Sequence, residues 1–174
     1  QIVARPRGLF RYENQKPAVG DEVELEGETI TKILPRKNLL RRPFVANIDA
    51  ALLVFSVKDP TPDFLLLDKL IINVLAEGIE PHLVFSKTDL VEEDPPFDLA
   101  EDYSFLPVYF ISNMEKASLE KLIKELVPGT YVLAGPSGAG KSSMINQLAG
   151  RTEAPVGEIT QRLRRGKHTT RHHE

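Results

Sequence analysis

A single glycine-rich motif limits the possible folds of this chain more than any other stretch. The motif reads Gly135-Pro136-Ser137-Gly138-Ala139-Gly140-Lys141-Ser142 and fits G-x-x-x-x-G-K-[ST], the pattern of a phosphate-binding P-loop. An apolar run over residues 131–134 precedes it and predicts a buried strand, and Met144, Ile145 and Leu148 recur after it at helical spacing. A strand, a glycine loop and a helix that begins at about the motif lysine are the context in which this motif binds phosphate.

The residue types of the motif suit a phosphate. Its glycines let the backbone curl so that successive N–H groups point inward, and the N-terminus of the next helix adds the positive end of its dipole. Lys141 can reach the β- and γ-phosphates, and the Ser142 hydroxyl can ligate Mg²⁺. A glycine turn that only caps an ordinary helix is the alternative, and the flanking strand and helix argue against it. The sequence indicates a magnesium nucleoside triphosphate, and the predicted phosphate-binding residues are Gly135, Pro136, Ser137, Gly138, Ala139, Gly140, Lys141, Ser142 and Ser143.

Length and composition exclude several classes of protein. The 174 residues suffice for one α/β domain with a small appendage, and a formal charge of -3 excludes a globally basic nucleic-acid binder but not a local basic patch. The chain has no cysteine, so these residues hold neither a disulfide framework nor a cysteine zinc site. No apolar run is long enough to cross a membrane and no signal-peptide pattern opens the chain, so we expect a soluble cytoplasmic protein with no membrane partner.

Residues 1–44 differ in pattern from the rest of the chain. Short segments that alternate apolar and polar residues, such as 19–25 and 29–34, are separated by glycines and predict a small antiparallel barrel or sheet. A linker is predicted at 42–44. Cations at both ends of this region could contact a nucleic-acid backbone, and a solvated surface explains them equally well. These cations are Arg5, Arg7, Arg11, Arg36, Lys37, Arg41 and Arg42.

From residue 48 onward the pattern becomes that of a buried parallel sheet. Nearly continuous apolar runs predict three further strands, and apolar residues at helical spacing predict a helix over 64–76. The strands are expected at 50–57, 83–85 and 108–111. Another helix is predicted with Ser118 as its N-cap, whereas residues 91–106 are acidic, contain prolines and predict mostly loop. Strands that alternate with helices favour a doubly wound, mostly parallel α/β sheet, which binds ligands at the carboxyl ends of its strands.

Polar residues follow two of these strands and suit the recognition of guanine. Asp89, in Ser86-Lys87-Thr88-Asp89, can accept hydrogen bonds from the N1–H and the amino group of guanine, which adenine lacks at that edge. The aliphatic stem of Lys87 can lie over the base, and a backbone N–H near Ser112, in Ser112-Asn113, can donate to guanine O6. An ordinary strand-end turn is the alternative, but lysine-x-aspartate after a buried strand, in a chain with a P-loop, favours base recognition.

The stretch from Arg162 to His173 is strongly basic. A threonine there could ligate Mg²⁺ when a mobile loop closes over the γ-phosphate, and the cations could touch RNA phosphates. Composition alone equally describes a flexible basic tail. The pair His172-His173 has no further ligand cluster in the sequence, so we predict no metal site on it.

Together these motifs resemble those of the circularly permuted GTPases, and most closely the RsgA (YjeQ/YloQ) family of ribosome small-subunit GTPases. In ordinary GTPases the P-loop precedes the base-recognition motif, whereas here Ser86–Asp89 precedes Gly135–Ser142. The similarity covers nearly the whole chain. It includes Arg7-Gly8-Leu9-Phe10-Arg11, Val19-Gly20-Asp21, Ile33-Leu34-Pro35-Arg36-Lys37-Asn38, Arg41-Arg42-Pro43, Asn47-Ile48-Asp49, Leu66-Leu67-Asp68 and Arg165-Gly166-Lys167-His168-Thr169-Thr170-Arg171-His172.

The resemblance implies a two-domain architecture and a function. Residues 1–44 would form an OB-fold, a small β-barrel that contacts RNA or the ribosome, and residues 45–174 a circularly permuted P-loop GTPase domain. The family acts in late maturation of the small (30S) ribosomal subunit, which stimulates its GTP hydrolysis. The resemblance therefore implies GTP or GDP and Mg²⁺ as cofactors, the small subunit and its rRNA as partners, and a monomeric protein.

The resemblance also assigns residues in the basic stretch. Thr169-Thr170 would lie in switch I, with Thr170 as a Mg²⁺ ligand beside Ser142. His168 would aid hydrolysis by positioning the attacking water. With Lys141, these two residues form the implied catalytic set, and catalysis would consist mainly of positioning and charge stabilisation.

The sequence departs from the family pattern in three ways. The Asp-x-Pro-Gly motif of switch II should follow switch I, and the sequence ends at Glu174 before it. The cysteine and histidine ligands of the family's zinc domain are absent from these residues as well. We therefore expect nucleotide binding with slow hydrolysis. Third, Ser86 stands where asparagine is the commoner residue, and its shorter side chain is expected to brace the base site less.

Two readings from other functional classes stay open at this stage. The first is an rRNA-binding assembly module that uses nucleotide only as a conformational switch. The second is a P-loop ATPase or small-molecule kinase, because the P-loop by itself does not select a base.

Overall fold

The computed structural model describes residues 3–6, 8, 16–91, 97–112 and 114–149. The site candidates Asn113, His168 and Thr170 lie outside the described residues, together with the rest of 150–174. Within the described part of the chain, no helix has the length and apolar character needed to cross a membrane.

The N-terminal part of the chain forms short strands. Strands β1 (Arg5–Pro6), β2 (Val23–Glu26) and β3 (Thr29–Ile33) make a sheet in the order β1-β3-β2. The pairing of β2 with β3 is antiparallel, as the sequence predicts, but β1 runs parallel to β3. The register shifts between Glu24 and Leu25. The simple alternation expected over 19–25 therefore breaks there, and Leu25 ends on the surface with 42% of its area exposed.

A hairpin connects this region to the rest of the chain. Strands β4 (Leu39–Leu40) and β5 (Val45–Ala46) are antiparallel, and residues 41–44 form the turn between them. Its ends are buried, because Leu40 and Val45 belong to the same apolar cluster as the central sheet residue Phe55. The residues expected to be a linker are therefore a packed turn, while the domain boundary after residue 44 stays a prediction.

The centre of the molecule is a four-stranded parallel sheet, which confirms the predicted α/β class. Its strands are β6 (Ala50–Ser56), β7 (Glu80–Ser86), β8 (Val108–Ile111) and β9 (Tyr131–Ala134), in the order β8-β7-β6-β9. Every residue of β6 is buried, as expected for a central parallel strand covered on both faces. The chain returns to the same end of the sheet after each strand, so the loops at the carboxyl ends lie side by side.

Helices cover both faces of this sheet. Helix α1 (Phe64–Ala76) is confirmed with the predicted bounds, and the Asp63 carboxylate caps its N-terminus by accepting the Leu66 N–H at 3.0 Å. It packs on one face beside the short helix α2 (Phe97–Asp102), while α3 (Lys116–Glu125) and α4 (Lys141–Ala149) pack on the other. Alternate residues of β6 pack against the two helix layers. Leu53 belongs to the apolar cluster with α1, and Leu52 belongs to the cluster with α3 and α4.

The structure contradicts one prediction from the sequence in this region and refines another. Ser118 does not cap a helix, because α3 already begins at Lys116 with Glu115 as its N-cap, and Ser118 lies in the first turn. Residues 97–102 are helical although the segment predicted mostly loop. The cause is tertiary packing. Tyr103, just after α2, is buried and donates from its hydroxyl to Asp68 on α1 at 2.9 Å, and burial followed by the Asp68 bond raises the pKa of Tyr103 to about 12.

Asparagine and aspartate side chains join the hairpin region to the sheet. The buried Asn38 amide pairs with both backbone groups of Ile48, donating to its carbonyl at 2.7 Å and accepting from its N–H at 3.0 Å. Asp49 accepts from the Lys37 ammonium at 2.8 Å and from the Thr130 N–H at 2.7 Å. The Lys37 bond, then the Thr130 bond, lower the pKa of the Asp49 carboxyl. The start of β6 is thus tied to both the hairpin and the segment before β9.

A buried ion pair holds the N-terminal segment in place. The Arg36 guanidinium donates to both oxygens of Asp21, at 2.7 and 2.9 Å, and to the Lys16 carbonyl at 2.8 Å. The Asp21 side chain is only 2% exposed and also accepts from the Ala18 N–H at 2.6 Å. Burial acts to raise the pKa of the Asp21 carboxyl, but the Arg36 bonds, the Ala18 bond and the Arg36 charge together hold it below its ordinary value.

We expect Asp21→Asn to lower the free energy of unfolding by about 1.5–3 kcal/mol at neutral pH, because the amide loses charge-assisted bonds. The folded-state pKa of Asp21 is lowered. The ion pair's contribution is therefore complete above the unfolded pKa of about 3.9 and is lost as pH falls through the lowered value. Urea unfolding over a pH series should show the two proteins converging in acid.

The matched control is Glu24→Gln, because Glu24 pairs with Lys32 at 3.1 Å on the surface. That change should alter the free energy of unfolding by less than about 1 kcal/mol. A gap between wild type and Asp21→Asn that persists undiminished in acid would contradict the assignment.

Candidate functional site

A cavity of about 680 Å³ opens at the carboxyl ends of the parallel strands. Its volume falls within the range of about 300–1,000 Å³ that is typical of small-molecule sites. One end is built from the glycine-rich loop, and the other from the residues that follow β7 and β8. The lining residues are Lys87, Asp89, Leu90, Met114, Gly135, Ser137, Gly138, Gly140, Lys141, Ser142 and Ser143.

The glycine-rich loop lies directly on the central strand. Gly135 has φ +139°, and a Cβ at this position would lie 2.1 Å from the Val54 carbonyl oxygen, so only glycine fits. Gly140, just before α4, also has a left-handed φ of +85°. Ala139 between them is fully buried. The loop therefore curls tightly over β6 and delivers the chain into the N-terminus of α4 at Lys141, as an anion nest requires.

The Lys141 side chain folds back across its own loop. Its ammonium donates to the carbonyls of Gly135 at 2.8 Å and Pro136 at 2.5 Å. To bind a phosphate in the loop, the Lys141 ammonium would give up at least one of these carbonyls and donate to the anion instead. Ser142 and Ser143 follow on the first turn of α4, where both are exposed and line the cavity.

The far end of the cavity is shaped by the chain after β7. Lys87 has a left-handed backbone, with φ 62° and ψ 37°, and the turn leads into a 3-10 helix over Thr88–Leu90. The turn places both Lys87 and Asp89 in the cavity wall. The Lys87 ammonium donates to the Asp59 carbonyl, so its aliphatic stem is held along the cavity rather than free in solvent.

A short chain of hydrogen bonds orients Asp89. The buried Ser112 hydroxyl donates to Asp89 Oδ1 at 2.6 Å and accepts from the Met114 N–H at 3.1 Å. The Ser112 N–H donates to the Ser118 hydroxyl at 3.0 Å. The Ser112 N–H is thus already bonded within the protein, and the donor to guanine O6 expected near Ser112 stays a prediction. The Ser112 hydroxyl positions the carboxylate.

Ser86 connects the two ends of the site. It is fully buried, and its hydroxyl lies 2.7 Å from the carbonyl oxygen of Ala139 in the glycine loop and 3.3 Å from that of Phe55 on β6. A serine at this position thus still braces the site, through the phosphate end rather than through the cavity wall.

Some predicted residues lie behind the cavity and some cavity residues were missed. Ser86, Thr88, Ser112, Pro136 and Ala139 do not line it. Two apolar residues do line it without having been predicted. These are Leu90, 40% exposed, and Met114, 81% exposed. Each follows a predicted polar residue by one or two positions, and this closeness in sequence was the available signal.

The donor set fits Mg²⁺ only in part. Among the described residues there is no group of three or more His, Cys, Asp or Glu side chains that could hold a metal ion. The Ser142 hydroxyl at the start of α4 is the oxygen donor that the glycine loop offers. Magnesium commonly takes one or two protein oxygens and completes its shell with phosphate oxygens and water, so this donor is compatible with a nucleotide-bound ion.

We expect Ser86→Ala to loosen the glycine loop, because the Ala139 carbonyl loses its hydroxyl partner. Backbone amides of residues 139–142 should exchange hydrogen faster, and stability should fall by about 1–3 kcal/mol. Ser56→Ala is the matched control, since Ser56 is equally buried at the end of β6 but donates to the Pro60 carbonyl at 2.7 Å. If both variants raise amide hydrogen exchange over residues 139–142 equally, the Ser86 hydroxyl does not specifically stabilise the glycine loop.

Comparisons with known proteins agree with this geometry. The family model described as RsgA GTPase matches residues 33–174. The protein named small ribosomal subunit biogenesis GTPase RsgA from Halalkalibacterium halodurans is 44% identical over 98% of the chain, and that from Bacillus subtilis is 39% identical over 99%. The chain spans 61% and 62% of the length of these two relatives.

Two solved structures share the fold. The crystal structure of YjeQ from Thermotoga maritima matches with a TM-score of 0.72 and 33% identity, over 87% of this chain and 58% of that one. The structure of YloQ, described as a circularly permuted GTPase, matches with a TM-score of 0.64 and 36% identity, over 84% of this chain and 54% of that one. Together with the parallel sheet in which the Ser86–Asp89 loop precedes the glycine loop, these matches show that the chain belongs to the RsgA GTPase family.

Proposed function

We propose that this chain binds GTP and GDP with Mg²⁺ and forms the nucleotide-binding part of a GTPase that acts in late maturation of the small ribosomal subunit. The observation that carries the nucleotide assignment is one cavity with two chemically distinct ends. A glycine loop at a helix N-terminus lies at one end, and the oriented carboxylate of Asp89 lies at the other. The ribosomal assignment rests on relatives named small ribosomal subunit biogenesis GTPase.

The nucleotide would lie along the cavity with its phosphates against residues 135–143 and its base against Lys87 and Asp89. Ser112 holds Oδ1 of Asp89, which fixes the carboxylate plane. A carboxylate in this position accepts from the two donors on the edge of guanine and has no comparable partners on adenine. This arrangement supports selection of GTP over ATP and weighs against an ATPase or a small-molecule kinase.

Hydrolysis would depend on positioning and on charge stabilisation. Lys141 would neutralise charge on the β- and γ-phosphates, and Ser142 would hold a Mg²⁺ ion, which would supply further positive charge for the phosphates. By family resemblance, Thr170 would be a second metal ligand and His168 would orient the attacking water. Both assignments remain proposals, because these residues lie outside the described part of the chain.

We further propose that residues 1–44 belong to an OB-fold that contacts rRNA. The small β1-β3-β2 sheet and the exposed cations Arg5, Arg41 and Arg42 of this region support this assignment. The protein would then act in the cytoplasm as a monomer on the small subunit.

Turnover of GTP with and without purified small ribosomal subunits tests the function. We expect the subunits to stimulate turnover and excess ATP not to compete with GTP. Subunit binding that depends on nucleotide, without any stimulated turnover, would instead support the assembly module that uses nucleotide as a switch. Equal competition by ATP would remove the guanine assignment.

We expect Lys141→Ala to abolish tight binding of both GTP and GDP while the fold persists. Loss of a charged phosphate contact costs roughly 1.5–3 kcal/mol, or about ten- to a hundredfold in affinity. Calorimetric titration with each nucleotide measures the loss. Lys124→Ala is the control, since this exposed lysine on α3 does not line the cavity. A cooperatively folded Lys141→Ala protein that keeps wild-type affinity would rule out the phosphate site.

We expect Asp89→Asn to shift preference from guanine towards xanthine nucleotides. The asparagine oxygen can serve only one of the two guanine donors, and the orphaned donor costs about 1–3 kcal/mol, or roughly one to two decades of affinity. Xanthine carries a carbonyl in place of the amino group, which the new amide can satisfy and the original carboxylate repels. Affinities for GDP and XDP measure the exchange.

The charge-matched control for this exchange is Asp102→Asn, which removes an exposed carboxylate outside the cavity. It should leave both affinities unchanged. If Asp89→Asn binds GDP as tightly as wild type and still rejects XDP, the Ser86–Asp89 loop does not read the base.

A further inference from the structure

A second cavity, of about 330 Å³, adjoins the first one at the glycine loop. It shares Gly135 and Lys141 with the first cavity and contains none of the residues at the base end. Its remaining wall comes from the β4–β5 turn, from α1 and from the end of β9. The lining residues are Arg42, Pro43, Leu66, Leu70, Leu133, Ala134, Gly135, Pro136 and Lys141.

The charged side chains of the described residues that line this second cavity are both positive. Among the described residues that line it, the ionisable ones are Arg42 and Lys141, and none is a carboxylate. Arg42 is exposed, and within the described ranges no ion pair or side-chain hydrogen bond involves its guanidinium. The other lining side chains are apolar. A cavity with two cations and an otherwise apolar wall favours an anion, and a planar guanidinium suits phosphate oxygens in particular.

The position of the cavity indicates which anion fits. This step rests on the proposed function, in which the base lies at Lys87 and Asp89 and the phosphates lie along the glycine loop. A nucleoside triphosphate in that orientation points its terminal phosphate away from the base. The two cavities share Gly135 and Lys141, so the terminal phosphate would approach the end of the first cavity that adjoins the one lined by Arg42.

We propose that Arg42 contacts the terminal phosphate of bound GTP and thereby distinguishes GTP from GDP. The turn that carries Arg42 is well anchored, because Leu40 and Val45 on either side are buried in the core of the sheet. The guanidinium is therefore presented from a packed hairpin. A nucleoside diphosphate lacks this terminal phosphate, so its binding is independent of Arg42.

The same contact would connect nucleotide state to the N-terminal region. The hairpin is bonded to the N-terminal segment, since the Ala46 N–H donates to the Val19 carbonyl at 2.8 Å and Val19 bridges to Val45. Asn47, next in the chain, donates to the Gly20 carbonyl at 3.0 Å. A movement of the hairpin on phosphate binding would thus be transmitted through these two hydrogen bonds to Val19 and Gly20.

Affinities for GDP and for a non-hydrolysable GTP analogue test the proposal in wild type, Arg42→Ala and Arg42→Lys. We expect Arg42→Ala to weaken the triphosphate analogue about tenfold while GDP changes less than about twofold, and Arg42→Lys to fall between wild type and Arg42→Ala. Arg41→Ala is the matched control, because Arg41 is an exposed cation of the same turn that does not line the cavity. Thermal midpoints confirm that all variants are folded.

The outcomes separate this proposal from the function on which it rests. If wild type binds neither nucleotide, the proposed function fails and this inference fails with it. If wild type binds both and Arg42→Ala weakens both equally or neither, only the Arg42 contact is overturned. A loss that Arg41→Ala reproduces reflects general surface charge and overturns it as well.

Discussion

The contact between Gly135 and the Val54 carbonyl is the constraint on which the rest of the site depends. A side chain at Gly135 would collide with the backbone of the central strand, so the glycine loop can lie flat on β6 only because no Cβ is present. That close approach sets where α4 begins and therefore where Lys141 and Ser142 point. The position of the phosphate end of the site therefore depends more on backbone packing than on any polar side chain.

The base end is positioned by hydroxyl groups that never reach the cavity. Ser118 binds the loop after β8, Ser112 binds Asp89, and Ser86 binds the glycine loop at Ala139. Each bond joins a loop that follows one parallel strand to the next loop or to a helix end. The shape of the cavity therefore depends on loops at three strand ends. Displacement of one loop would displace the loops that are hydrogen-bonded to it.

The N-terminal region is joined to this site more closely than a linker would allow. Buried Leu40 and Val45 tie the hairpin to the sheet, and the Asn38 side chain completes the backbone pairing of Ile48 just before β6. The hairpin turn reaches the glycine loop, beside which Arg42 and Pro43 line the second cavity. If the glycine loop moves when it binds phosphate, it would therefore contact residues of both the N-terminal region and the sheet region.

The sequence by itself determined the parts that depend on local pattern. The bounds of β8, β9, α1 and the start of α4 follow from apolar spacing and from one motif, because their residues carry the burial signal within a single segment. The order of the base loop and the glycine loop along the chain likewise indicated the permuted family. Matches with its members support that reading.

Tertiary structure alone decided what depends on distant partners. The helix over 97–102 forms where composition predicted loop, because Tyr103 packs against the sheet and bonds Asp68. Ser112 positions the Asp89 carboxylate and Met114 enters the cavity wall, since both outcomes require strands that are far apart in sequence to end side by side. The cavity that Arg42 and Lys141 both line has the same origin. Residues about a hundred positions apart are brought together only when the hairpin packs on the parallel sheet.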